Sequence, residues 1–85
     1  MKIVWTKHAE ERQKEWEKKL DITKEDIEAA VSKPVQVVRG DLNIKIAQVK
    51  MRGGLLRVPF LESASDIKII TLYWTSRIDR YWKEE

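Results

Sequence analysis

A chain of 85 residues has room for one domain with a modest core, because folding at this size removes only roughly 60% of the unfolded chain's surface from water. An apolar share of 42% beside a charged share of 36% argues for a folded domain with a strongly solvated surface. The absence of cysteine excludes a disulfide framework, a thiolate zinc site and cysteine nucleophile chemistry, and a single histidine, His8, is too few for an imidazole cage. Neither a metal nor an organic cofactor is therefore expected.

The first residues, Met1 to Trp5, lack the apolar stretch of a signal peptide. No apolar run approaches the roughly 20 residues that cross a bilayer, so the expectation is a cytoplasmic protein without a membrane partner. Net charge is +3, and its distribution is uneven: residues 1–33 hold eight Lys/Arg against eight Asp/Glu, residues 34–85 nine against six. The basic excess belongs to the second half, which fits a surface that faces a polyanion as well as it fits ordinary solubility charge.

In chain order, Lys2–Trp5 reads as a short strand, and Thr6 is placed to cap a helix from Lys7 to about Lys19. On that helix Ala9, Trp16 and Leu20 share one face with Gln13 beside them, and Glu10–Lys14 and Glu15–Lys19 stand at i,i+4 spacing. Thr23 with Asp26 three residues on forms a capping box, and Ile22 can staple against Ile27, so a second helix is predicted from Lys24 to about Ser32, ended by Pro34. From Val35 the pattern changes to short β-rich runs: Val35–Arg39, a turn at Gly40–Leu42, and Asn43–Arg52. Gly53-Gly54 is read as a two-residue turn pairing Asn43–Arg52 with Leu55–Leu61. Pro59 removes a ladder donor and argues for an edge or a bulge, Ser63–Asp66 is a further turn, and Ile67–Thr75, apolar on both faces, is predicted as one central strand. A tail, Ser76–Glu85, has room for one helical turn. The prediction is a single α+β domain over residues 1–85: an N-terminal strand, two helices, then an antiparallel four-stranded meander, β-α-α-β-β-β-β.

Two clusters could carry chemistry. His8 and Arg12 stand one helical turn apart, joining an imidazole that titrates near neutrality to a guanidinium that forks onto phosphate oxygens; decoration of an exposed helix turn explains the pair equally well. The second cluster is basic and aromatic: Arg39, Lys45, Lys50, Arg52, Arg57, Lys68, Arg77 and Arg80 interleaved with Tyr73, Trp74, Tyr81 and Trp82. Cations that hold phosphates and rings that stack unpaired bases are what single-stranded RNA recognition uses, while lysines at alternate strand positions also describe a solvated sheet face. Arg77 and Arg80 directly follow the predicted central strand and would be held rigidly by it.

His8-Ala9-x-x-Arg12 after a first strand, then Thr23-x-x-Asp26-Ile27 leading to Pro34, then Ile70-Thr71-Leu72-Tyr73 together resemble the domain of unknown function family four-two-five-eight, over most of the chain. The strand-helix-helix-sheet order also resembles the RelE and BrnT toxin group. That resemblance implies a RelE-like fold and a small, metal-independent endoribonuclease of a toxin-antitoxin pair. Its partners would be RNA and an antitoxin protein. The implied reaction is attack of a ribose 2′-hydroxyl on the adjacent phosphate, with His8 as base or acid, Arg12, Arg57 and Arg77 stabilising charge, and Tyr73 or Tyr81 stacking or donating a proton. Arg39, Lys50, Arg52, Arg80 and Tyr81 would line the RNA. The one histidine departs from that group in lying near the N-terminus rather than on the C-terminal strand. Two rival readings stay open: a non-catalytic nucleic-acid-binding module, and a protein-interaction module whose strand edges or tryptophans engage a partner, a second copy of the chain included.

Overall fold

Local signals account for the first third of the molecule. The computed structural model describes residues 2–84. β1 (Lys2–Trp5) leads into α1 (Lys7–Leu20), and the Thr6 hydroxyl accepts a hydrogen bond from the Ala9 N–H as the predicted cap. α2 (Lys24–Ser32) opens on the predicted capping box: the Thr23 side chain accepts from the Asp26 N–H at 3.1 Å while the Asp26 carboxylate accepts from the Thr23 N–H at 2.9 Å. Ile22 and Ile27, the residues of the staple, are both fully buried in the core. Removing half of this box by Thr23→Ala should cost about 1 kcal/mol, read as a fall of roughly 4–8 °C in the melting temperature. In place of the predicted i,i+4 ion pairs of α1, Glu10 lies 3.6 Å from Lys24 of α2, a tertiary pair, and Arg12 pairs with Glu15 at i,i+3 spacing within α1 at 3.0 Å.

The second half builds a mixed sheet from β1 and five further strands: β2 (Gln36–Arg39), β3 (Lys45–Met51), β4 (Gly54–Glu62), β5 (Asp66–Ile69) and β6 (Tyr73–Thr75). Its order is β1-β5-β4-β3-β2, with β6 also on β4. The chain is thus α+β, as the sequence predicts, with differences in detail. β1 joins the sheet by parallel pairing to β5, and the single strand predicted over Ile67–Thr75 is two strands. Nor does that segment hold the centre. β4 does, with β3 on one side and both β5 and β6 on the other.

Pro59 explains the split. Phe60 pairs with Ile69 and Arg57 with Tyr73, so two residues of β4 oppose three of its partner, a bulge of one residue. The Pro59 carbonyl accepts from the Ile70 N–H at 3.0 Å. Since an antiparallel residue points its N–H and C=O to the same side, the donor that Pro59 lacks faces the bulge, where regular pairing is already interrupted. A proline thereby sits in a central strand without leaving a gap in the β3–β4 ladder. The bulge is tied down by Thr6, whose hydroxyl donates to the Ile70 carbonyl at 2.9 Å.

The hairpin turn also shifts by one residue from the prediction. Met51 pairs with Gly54, so the two loop residues are Arg52 and Gly53, with φ of 55° and 75°. Positive φ at both positions is the primed geometry that suits the strand twist. Gly54 is the first residue of β4, and its lack of a side chain lets the Trp74 indole pack against it: a Cβ there would lie 2.6 Å from Cε2.

Strand alternation sorts the sheet into two faces. Ala47, Leu56, Val58, Phe60, Ile67 and Ile69 point to the helices and bury with Ala9, Ile27, Ala30 and Val31 in one core. Trp74 joins them from β6, its ring centroid 6.1 Å from that of Trp16 in α1, and its indole N–H donates to the Met51 carbonyl. Residues between these, Gln48, Lys50, Leu55, Arg57, Tyr73 and Thr75, point to the second face. The short helix α3 (Ile78–Tyr81) and residues 82–84 follow β6, the one predicted helical turn of the tail; Glu85 lies outside the described residues.

Candidate nucleic-acid interface

Burial of a charge without an opposite charge is the feature that singles out one place on the second face. Arg57 sits mid-strand in β4, only 9% exposed, and no carboxylate lies within 4 Å of it among the described residues. Its Nε donates to Oε1 of Gln48, its cross-strand partner, at 2.6 Å, and its Nη1 donates to the hydroxyl of Tyr73, its partner on the other side. The guanidinium carbon lies 4.2 Å from the ring centroid of Tyr81 and 5.6 Å from that of Tyr73. Of the five N–H groups on a guanidinium, two are engaged with protein acceptors, and the aromatic faces offset part of the desolvated charge. A guanidinium clamped from both neighbouring strands with N–H groups to spare has the donor chemistry that a phosphate oxygen accepts.

The surrounding groups extend the site. Gln48, fully buried, donates its Nε2 to the Gln36 Oε1 at 2.6 Å and to the Tyr81 carbonyl at 3.2 Å. Gln36 in turn donates to the Lys83 carbonyl at 2.7 Å and accepts from the Lys83 N–H at 2.9 Å. A chain of amides thus runs from the sheet edge to the guanidinium. Lys50 places its Nζ 4.6 Å above the Trp82 ring, and the Arg80 guanidinium lies 5.5 Å from the Tyr81 ring. Leu55 is fully buried on this face, apart from the helix-side core. The face is therefore covered, and its contacts put the C-terminal segment over it.

Of the residues singled out from sequence, the fold gathers Arg57, Tyr73, Tyr81, Lys50 and Arg80 here. Arg77 stands at the start of α3, exposed and 3.6 Å from Asp79. Arg39 is exposed at the end of β2, on the helix-facing alternation with its partner Lys45. Arg52 is engaged elsewhere: from the hairpin turn its Nε and Nη2 donate to the carbonyls of Leu20 and Asp21, at 3.0 and 3.2 Å, closing the C-terminus of α1. His8 and Arg12 are exposed on α1, the helix whose Ala9 packs on the face occupied by Leu56 and Val58. Arg57 lies between those two in β4 and points the opposite way. The sheet therefore separates His8 and Arg12 from Arg57 and Tyr73, and the fold does not bring them into one constellation.

Sequence reasoning missed Gln36 and Gln48. Ile46-Ala47-Gln48-Val49-Lys50 reads as a strand with one solvated side, and nothing local announces that a C-terminal segment covers that side. A concavity of about 630 Å³ lies on the helix side of the sheet, lined by Val31, Pro34, Val37, Phe60 and Ile67 with the Lys45–Glu62 pair at its edge. It holds no unpaired charge, Lys45 and Glu62 being 3.1 Å apart, so the chemistry points to the second face. No helix among the described residues is long and apolar enough to cross a membrane. Comparison with family models, curated proteins and solved structures finds no match.

Proposed function

We propose that the protein binds single-stranded RNA on the second face of its sheet, in the manner of a small toxin-like RNA-binding domain. The observation that carries this reading is Arg57, a buried cation without a counter-charge, held between Gln48 and Tyr73 with tyrosine rings on its plane. Its open N–H groups suit phosphate oxygens, its plane and the Tyr73 ring suit an unpaired base, and Lys50 and Arg80 supply flanking charge.

Tyr73 favours a second, catalytic reading of the same site. Its oxygen accepts from Arg57, so its own O–H stays available to donate. In RNA cleavage the 2′-oxygen would bond to phosphorus, releasing its proton to solvent, and the bond to the 5′-oxygen would break as that oxygen takes the Tyr73 proton. Arg57 would stabilise the charge gathering on the phosphorane oxygens. The products are a 2′,3′-cyclic phosphate and a 5′-hydroxyl, and Tyr73 regains a proton from water.

The test has two arms. Binding of a labelled single-stranded RNA should weaken with salt at a slope of about −2 in the logarithmic plot, the value for three phosphate contacts. Salt-insensitive association with a protein and none with RNA would replace this reading by the interaction module. Induced expression in bacteria should arrest growth and create new RNA 5′ ends detectable by primer extension. Tyr73→Phe should abolish the new ends while RNA binding persists, and His8→Ala should change neither. Normal growth with intact RNA, despite soluble protein, would leave a non-catalytic RNA-binding module.

A further inference from the structure

The C-terminal segment occupies the space in which a ligand of Arg57 would sit. The Tyr81 ring lies 4.2 Å from the guanidinium carbon, the distance and position of a stacked base. Lys83 is held through its main chain by both functional atoms of the Gln36 amide, and the Tyr81 carbonyl takes a donor of Gln48. The attachment is built for reversal. α3 is four residues long, has no side-chain cap and buries none of its residues, so it draws little stability from its own helix. Its polar hold on the sheet is made of amide contacts and cation–ring contacts, which water or a nucleotide can replace, and the apolar surface it covers on this face is that of Leu55. Segments with few buried apolar contacts and exposed backbone hydrogen bonds are the ones that open locally at low free-energy cost.

Resting on the RNA-binding reading above, we infer that residues 81–84 are a strap that stands in for a nucleotide and is displaced when RNA binds. In the closed form Tyr81 covers the guanidinium plane and Gln36 latches Lys83. In the open form an unpaired base takes the place of the Tyr81 ring and a phosphate oxygen meets the open N–H groups of Arg57. A paired base has both faces stacked in its helix and cannot enter, so the ligand class is single-stranded. The latch makes RNA affinity depend on a residue that touches no RNA, because closure reduces the fraction of binding-competent molecules.

The test compares wild type, Gln36→Ala and a chain ending at Arg80 for binding of a fluorescein-labelled 12-nucleotide RNA. Hydrogen exchange of the Trp82 and Lys83 amides in the wild-type protein is followed with and without that RNA. A gain of about fivefold or more in affinity for Gln36→Ala, together with faster exchange at these amides in saturating RNA, is the expected result. Equal or weaker binding by Gln36→Ala, or amides as protected or more protected in the complex, would overturn the strap while leaving RNA binding intact. The exchange measurement uses the unmodified chain, so it decides even if the shortened chain fails to fold. Absence of RNA binding by all three proteins would remove the RNA-binding reading and the strap with it.

Discussion

Replacing Arg57 by lysine is expected to weaken binding of single-stranded RNA at least about tenfold although the positive charge is retained. Lysine is a point charge on a flexible stem and offers neither the fork that meets two phosphate oxygens nor the plane that stacks. A charge-assisted hydrogen bond contributes about 1.5–3 kcal/mol and a stacked base about 1–3 kcal/mol, while a tenfold change in affinity needs only about 1.4 kcal/mol. Losing either contact therefore suffices. The fold should survive, because Leu56 and Val58 on either side of Arg57 keep their places in the helix-side core. Gln48 loses the donor to its buried Oε1, so a destabilisation of about 1–3 kcal/mol is expected alongside. Titration of the labelled RNA and a thermal melt on the same sample check both statements. Unchanged RNA affinity with a cooperative melt would show that Arg57 serves the fold alone.

Gly54→Ala should produce the opposite pattern, a severe loss of stability through a residue that touches no ligand. A Cβ at Gly54 would lie 2.6 Å from Cε2 of Trp74 and also meet the backbone oxygen of Thr75. Neither neighbour can withdraw cheaply. The indole is anchored by its bond to the Met51 carbonyl at 3.0 Å and by contact with Trp16, and Thr75 is paired to Leu55 in the ladder. Accommodation must separate β6 from β4 or expel Trp74 from the core. Overpacking costs about 1–3 kcal/mol where side chains can adjust and more where backbone must move. A domain of this length holds only roughly 4–13 kcal/mol in total, so the melting temperature should fall by more than about 10 °C. Gly53→Ala is the control: its φ of 75° disfavours a side chain, but nothing lies within 4 Å of the added Cβ, and a loss of only about 1 kcal/mol is expected. Equal melting temperatures for the two variants would mean that turn geometry, not the Trp74 contact, governs this hairpin.

These two residues differ in how far sequence alone could explain them. A basic residue in an apolar strand is visible as Arg57 in Leu55–Leu61, but its value depends on Gln48, Tyr73 and Tyr81, which lie 9, 16 and 24 positions away. In sequence Gly54 reads as half of a turn because Gly53-Gly54 satisfies the local rule for one. In the structure it pairs with Met51 as the first residue of β4, and what requires a glycine there is Trp74, a residue 20 positions downstream. Pro59 signals a disturbance of the ladder in sequence, but the side of β4 on which the disturbance falls depends on the partner strand.

What the sequence determined by itself is what neighbouring residues decide among themselves. The Thr6 cap, the Thr23–Asp26 box, the stop at Pro34 and the alternation of the strands all act within a few positions, so β1, both long helices and the α+β class were legible. The tertiary structure alone decided which segment is central, how β1 adds in parallel to β5, and which of the scattered cations meet. Period-two alternation sends neighbouring strand residues to opposite faces. Whether a given face is wet, packed under helices or covered by a returning C-terminus depends on contacts between residues far apart in the chain. For that reason His8 and Arg57, both plausible in sequence, stand on opposite sides of one sheet, while Gln36 and Gln48, silent in sequence, link the candidate site to the segment that covers it.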